Sequence, residues 1–80
     1  MGPQQCRAAR AILGWSQADL AEAALVGRRT LANFENGTKS INARTVRDIR
    51  AALETAGVIF LDADQDAGPG VRLRAAPGDG

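Results

Sequence analysis

Histidine and tyrosine are absent from this chain, cysteine occurs once, and one tryptophan with two phenylalanines makes up all its aromatic residues. Each shortage excludes something. Without histidine the usual zinc-ligand sets cannot be assembled, and the commonest general acid–base group is missing. With Cys6 alone no disulfide can close within the chain, so the expected compartment is a reducing one, the cytoplasm. No apolar run approaches the ~18 residues that a membrane span needs. The stretch Met1-Gly2-Pro3-Gln4-Gln5 has neither the basic nor the apolar region of a secretion signal. Serine stands only at positions 16 and 40, and no phosphate-cradling glycine loop is found. The expectation is a protein that is not an enzyme, with no catalytic residue, no cofactor, no metal and no membrane association.

What is present fits a soluble globular domain: 45% of the residues are apolar and 24% charged. Eighty residues make one domain at most, and at that size buried apolar area barely offsets conformational entropy. The net charge is +1, unevenly spread: residues 1–57 hold eight Lys/Arg against five Asp/Glu, and residues 58–80 hold two against four. A basic front with an acidic rear suits a domain that presents one end to a polyanion, although the excess alone does not identify one.

Periodicity and punctuation predict four helices. Ala8, Ala9, Ile12 and Leu13 recur at helical spacing from Gln4 to Leu13, with Gly14 as a stop. Ser16 opens a second helix as N-cap, with Asp19 three residues on, and Leu20, Ala21 and Ala24 form its inward stripe. A break at Leu25-Val26-Gly27 leads into a third helix from Arg28 to Asn36 that buries Leu31 and Phe34 and ends at Gly37. Asn42 caps a fourth, with Val46, Ile49, Leu53 and Ala56 on one face and Gly57 ending it. Beyond Gly57, the β-branched and aromatic Val58-Ile59-Phe60-Leu61, a turn-rich segment and the alternating Val71-Arg72-Leu73-Arg74 read as a hairpin. The expected fold is mainly α: a four-helix bundle containing a helix-turn-helix in residues 1–57, a short C-terminal β-hairpin in 58–74, and a disordered tail in 75–80.

The third helix carries the functional signal. Arg28, Arg29, Ala32, Asn33 and Asn36 share one face, opposite Leu31 and Phe34. Taken alone such a stripe is also what a solvated helix face looks like. Its context is Gly14-Trp15-Ser16-Gln17-Ala18-Asp19-Leu20-Ala21, then Val26, then a helix ending Phe34-Glu35-Asn36-Gly37. In these residues the sequence resembles the Cro/C1-type, or XRE, helix-turn-helix family over residues 6 to 57. The stretch Gly68 to Leu73 is similar to the ending of many compact regulators of that family. The resemblance implies a DNA-binding transcription regulator whose third helix enters the major groove of double-stranded DNA. Arg28 and Arg29 would donate to guanine and Asn33 would pair with adenine, while Gln17, Lys39 and Arg44 would touch the phosphate backbone. It also implies a structural ion pair between Arg10 and Glu35. Trp15 and Phe34, single aromatics beside apolar helices, read as core residues rather than as stacking groups for bases. Gly27 departs from the pattern: many relatives have a Ser or Thr there that caps helix three and touches phosphate. Leu25 makes the turn more apolar than usual.

Both faces of the strand Val58–Leu61 are apolar, whereas a hairpin lying on helices has one face covered. The expectation is a homodimer that reads a palindromic site, formed through Leu53, Ile59, Phe60 and Leu61. The expected role is that of a repressor or a dual regulator. The alternative is an antiactivator with this fold that sequesters a transcription-activator protein instead of binding an operator.

Overall fold

The computed structural model describes residues 1–75; the expected tail lies outside the described residues except for Ala75, which follows the last strand without regular structure. The elements run α1 Pro3–Leu13, α2 Gln17–Ala24, α3 Arg28–Asn36, α4 Ala43–Thr55, β1 Val58–Leu61 and β2 Gly70–Leu73. The mainly α fold with a C-terminal hairpin is therefore as expected.

Local chemistry accounts for most boundaries. Pro3 begins α1 at a position where a missing N–H costs nothing. Ser16 Oγ accepts from the Asp19 main-chain N–H at 3.0 Å while the Asp19 carboxylate accepts from the Ser16 N–H at 2.9 Å, a reciprocal capping box. Asn42 Oδ1 accepts from the N–H of Thr45 at 2.8 Å. Gly37 closes α3 at φ 69°, a left-handed conformation that glycine adopts without a Cβ clash.

The core is a single cluster of Cys6, Ala9, Leu20, Ala21, Ala24, Leu31, Phe34, Ile49, Leu53 and Val58. Three inward stripes agree with the periodicity: Leu20, Ala21 and Ala24 on α2, Leu31 and Phe34 on α3, and Ile49 and Leu53 on α4. The exception is α1. Its buried residues are Gln5, Cys6 and Ala9, with Leu13 packed against the core, whereas Ala8 and Ile12 are exposed. Positions 6, 9 and 13 form an i, i+3, i+7 row, and the small Cys6 and Ala9 let α1 approach α3 closely.

The strands pair antiparallel, Val58 with Leu73, Ile59 with Arg72, Phe60 with Val71 and Leu61 with Gly70. The second strand begins at Gly70, one residue earlier than expected, and Arg74 extends the pairing by donating to the Gly57 carbonyl at 2.7 Å. Inside the connecting loop, Asp64 Oδ1 accepts from the N–H groups of Asp66 and Ala67 at 2.8 and 2.7 Å. Gln5 fastens the hairpin to α1: Nε2 donates to the carbonyls of Leu61 and Gly70 at 3.2 and 3.1 Å, and Oε1 accepts from the Gly2 N–H at 3.1 Å. This side chain therefore ties the N-terminus of α1 to the far end of the sheet.

Candidate nucleic-acid interface

The turn between α2 and α3 determines how α3 is presented. Val26 donates to the Ala21 carbonyl at 3.0 Å and is packed against the core, so the turn is pinned from inside. Leu25 carries the reversal at φ 58°, the one non-glycine residue with positive φ among the described residues, and its side chain is 91% exposed. A leucine in this conformation is strained by its Cβ, and burial does not offset that strain. Gly27 is the N-cap of α3 and makes no side-chain cap bond.

On α3, Leu31, Phe34 and Glu35 are buried, while Arg28, Arg29 and Asn36 are exposed and Ala32 and Asn33 half-buried. The face predicted to meet DNA is thus turned outward on a helix anchored along its other side. Neither Arg28 nor Arg29 takes part in an ion pair or side-chain hydrogen bond among the described residues, which leaves both guanidinium groups free to donate. Asn33 is oriented by a residue that sequence reasoning passed over. Thr38 Oγ1 donates to the Asn33 carbonyl and Oδ1 at 3.3 and 3.4 Å. The Asn33 Nδ2 group and the second lone pair of Oδ1 remain available. A hydroxyl residue directly after Gly37 was the only sequence signal for this contact.

Beneath this face lies a buried polar knot. The Glu35 side chain is fully buried and accepts from Arg10 Nε and Nη2 at 2.7 Å each, from Gln17 Nε2 at 3.0 Å and from Cys6 Sγ at 3.1 Å. Arg10 also donates to the Trp15 carbonyl at 3.1 Å, and Arg7 donates to the Glu35 carbonyl. The expected Arg10–Glu35 ion pair is present, two-pronged, and it links α1 to α3. Burial is the largest single influence on the Glu35 carboxyl and pushes its pKa up. Hydrogen bonds from Arg10, Gln17 and Cys6 together outweigh it and hold the carboxyl below its ordinary value. Burial, and then the adjacent carboxylate, push the Cys6 thiol far up, so this cysteine is an inert neutral donor within the core.

The residues expected to frame α3 are distributed unevenly. Lys39 and Arg44 are exposed, Lys39 beyond the end of α3 and Arg44 in the first turn of α4. Gln17, the first residue of α2, turns its amide nitrogen inward to Glu35. Its second amide N–H and its main-chain N–H are what it has to offer a phosphate. Because Gln17 shares Glu35 with Arg10, the start of α2 is positioned by the same carboxylate that anchors α3.

Of the residues expected at a dimer contact, Leu53 is corrected by the structure. It is fully buried in the core of its own chain, because its face of α4 packs toward α2 and the hairpin. Phe60 packs inward, with the Arg50 guanidinium 4.8 Å from its ring centre. Ile59 and Leu61 lie on the other side of the strand, Leu61 exposed and Ile59 half-buried. Among the described residues no helix is long and apolar enough to cross a membrane.

A helix-turn-helix family model matches residues 7–58, which contain all four helices except the first turn of α1. Comparison with curated proteins finds no match.

Proposed function

The chain belongs to the Cro/C1-type helix-turn-helix family of DNA-binding regulators, and on that premise we propose that it is a sequence-specific transcription regulator that reads a palindromic site as a homodimer. The observation that carries the reading is the two-sided character of α3. Leu31, Phe34 and Glu35 anchor one side, while Arg28 and Arg29 stand exposed and, among the described residues, unpaired on the other, beside an Asn33 oriented by Thr38. An α-helix fits the major groove of B-DNA, where arginine can take guanine O6 and N7 and asparagine can take adenine N6 and N7. Half-buried Ala32 between them allows close approach. Lys39, Arg44 and the N–H groups of Gln17 supply phosphate contacts that set the register of the helix.

Two copies joined through the outward side of the hairpin, Ile59 and Leu61, would place two such helices on one duplex, and their spacing would equal about one helical turn of DNA. The deciding experiment is a binding titration against the DNA upstream of the protein's own coding sequence at two salt concentrations, with a scrambled duplex of equal length. Tight, salt-sensitive binding confined to the native duplex is expected, with a salt slope of about −0.9 per phosphate neutralised. Weak binding of equal strength to both duplexes would refute the reading. It would favour the antiactivator alternative, for which the uncapped Gly27, lacking a hydroxyl for phosphate, is the relevant observation.

A further inference from the structure

Residues five apart on a continuing α-helix are rotated by about 140° from one another, so a residue 38 within α3 would face away from Asn33. Gly37 prevents that. Its left-handed φ of 69° ends the helix, and the main-chain N–H of Thr38 turns back to donate to the Asn33 carbonyl at 3.1 Å, the closing bond of a Schellman motif. The reversal lays the Thr38 side chain beside that of Asn33, with Oγ1 3.3 Å from the Asn33 carbonyl oxygen and 3.4 Å from Oδ1. A hydroxyl has one proton to give. The carbonyl is already served by the Thr38 main-chain N–H, whereas Oδ1 has no other donor among the described residues, so Oδ1 is the acceptor that gains most from that proton.

We propose that Thr38 is a specificity-determining residue: by holding Oδ1 it fixes the orientation of the Asn33 amide, and so makes the base that Asn33 reads adenine rather than guanine. The proposal rests on the reading of α3 as the helix that enters the major groove. Adenine presents an acceptor at N7 and a donor at N6, and guanine presents acceptors at both N7 and O6. The tied amide keeps Nδ2 as its donor and the second lone pair of Oδ1 as its acceptor, the pattern that complements adenine. Against guanine the same oxygen meets O6, acceptor facing acceptor. An untied amide escapes this conflict, because the terminal torsion of asparagine is broad and roughly two-fold, and a turn about it gives the Nδ2 group to O6 or N7 of guanine. Thr38 is exposed and Asn33 half-buried, so the pair lies on the outward side that a duplex would cover. Expulsion of water there strengthens a bond that is long in the free protein. Thr38 needs no base contact of its own; it is a positioning residue that acts through Asn33.

Selection of duplexes from a random pool, followed by sequencing, tests the proposal on the full chain and its variants. The native protein is expected to select a site with an adenine that Asn33→Ala no longer selects. At that position Thr38→Val, which keeps the side-chain shape and the main-chain N–H but loses the hydroxyl, should reduce the preference for adenine over guanine about tenfold. The preferred bases elsewhere in the site should not change. Thr38→Ser, which returns the hydroxyl, should return the preference, and in an Asn33→Ala background Thr38→Val should have no further effect on it. A role confined to ending α3 would weaken binding to all duplexes alike and leave the preferred bases as they are. That result overturns the proposal, as does a Thr38→Val variant with undiminished adenine preference, or a relaxation that Thr38→Ser does not reverse. These outcomes leave the DNA-binding reading standing. No selected site for the native protein would refute that reading itself, and a site indifferent to Asn33→Ala would remove the Asn33 assignment; the proposal falls with either.

Discussion

Replacing Arg10 by alanine is the sharpest test of how α3 is held. Arg10 supplies two of the four side-chain donors to Glu35, at 2.7 Å each, and Glu35 is fully buried. Removing one partner of such a pair leaves an uncompensated buried charge and costs about 3–5 kcal/mol. A domain of this length has a total stability of about 4–12 kcal/mol at the usual value per residue, so the loss is a large share of the whole. At ~4–8 °C per kcal/mol for domains of this size, the melting temperature should fall by at least ~12 °C.

The pH response separates this mechanism from simple loss of packing. In the native protein the Glu35 carboxyl is held below its ordinary value, so its contribution is complete above the unfolded pKa of about 4.3 and is lost as pH falls through the folded value. In Arg10→Ala, burial acts against weaker opposition and the carboxyl shifts upward. The expected outcome is a folded value above the unfolded one, so that the folded state binds more protons and stability falls as pH rises from about 4.3. Urea denaturation followed by circular dichroism at pH 7 and pH 5 should show the variant gaining stability on acidification relative to the native protein. Arg10→Met combined with Glu35→Met, which removes both charges, should recover at least ~2 kcal/mol of the loss. A cost below about 1 kcal/mol for Arg10→Ala, or a variant whose pH dependence runs parallel to the native one, would refute the reasoning.

Arg28→Ala with Arg29→Ala should abolish sequence-selective DNA binding while leaving the melting temperature within a few degrees, because both side chains are exposed and, among the described residues, unpaired; retained selectivity in a gel-shift titration removes the assignment. Gly27→Ser should raise stability by a few tenths of a kcal/mol through a new N-cap bond, since a Cβ at this position meets only Thr30 Oγ1 at an ordinary 3.7 Å. The same variant should bind DNA more tightly, and no change in either thermal melting or affinity would count against the cap geometry. Gln5→Ala should cost about 1–2 kcal/mol by leaving the Leu61 and Gly70 carbonyls without their donor. Hydrogen exchange in residues 58–61 and 70–73 should quicken more than in α4, and uniform exchange would show that Gln5 does not fasten the hairpin.

Much of this structure was legible in advance because its signals are local. Ser16 with Asp19, Asn42 ahead of α4 and Gly37 after α3 satisfy main-chain groups within a few residues of themselves, so the helix boundaries follow from neighbours in sequence. The inward rows on α2, α3 and α4 follow from a 3.6-residue period that admits one apolar face. The α1 row was ambiguous, because alanines and aliphatic residues surround that helix and two faces satisfy the period. Contact with α3 and the hairpin keeps the expected Ala9 and Leu13 inward and adds Cys6 in place of Ala8 and Ile12.

The sequence by itself determined the helix-turn-helix, its caps and the polar face of α3, since each depends on dihedral preference, spacing and the resemblance carried by residues 14 to 37. Only the tertiary structure decided what each polar side chain does. Gln17 turns toward Glu35, Gln5 reaches the hairpin from α1, Thr38 orients Asn33, and Leu53 belongs to the core. Glutamines 5 and 17 could equally have faced solvent, and their partners lie 56 and 18 residues away. Leu25 makes the same point about the backbone: the reversal between α2 and α3 is imposed by packing Val26 inward, and the residue beside it takes the strain. Such choices depend on which groups meet across the fold, and that is set by three-dimensional packing, which no local pattern of residues encodes.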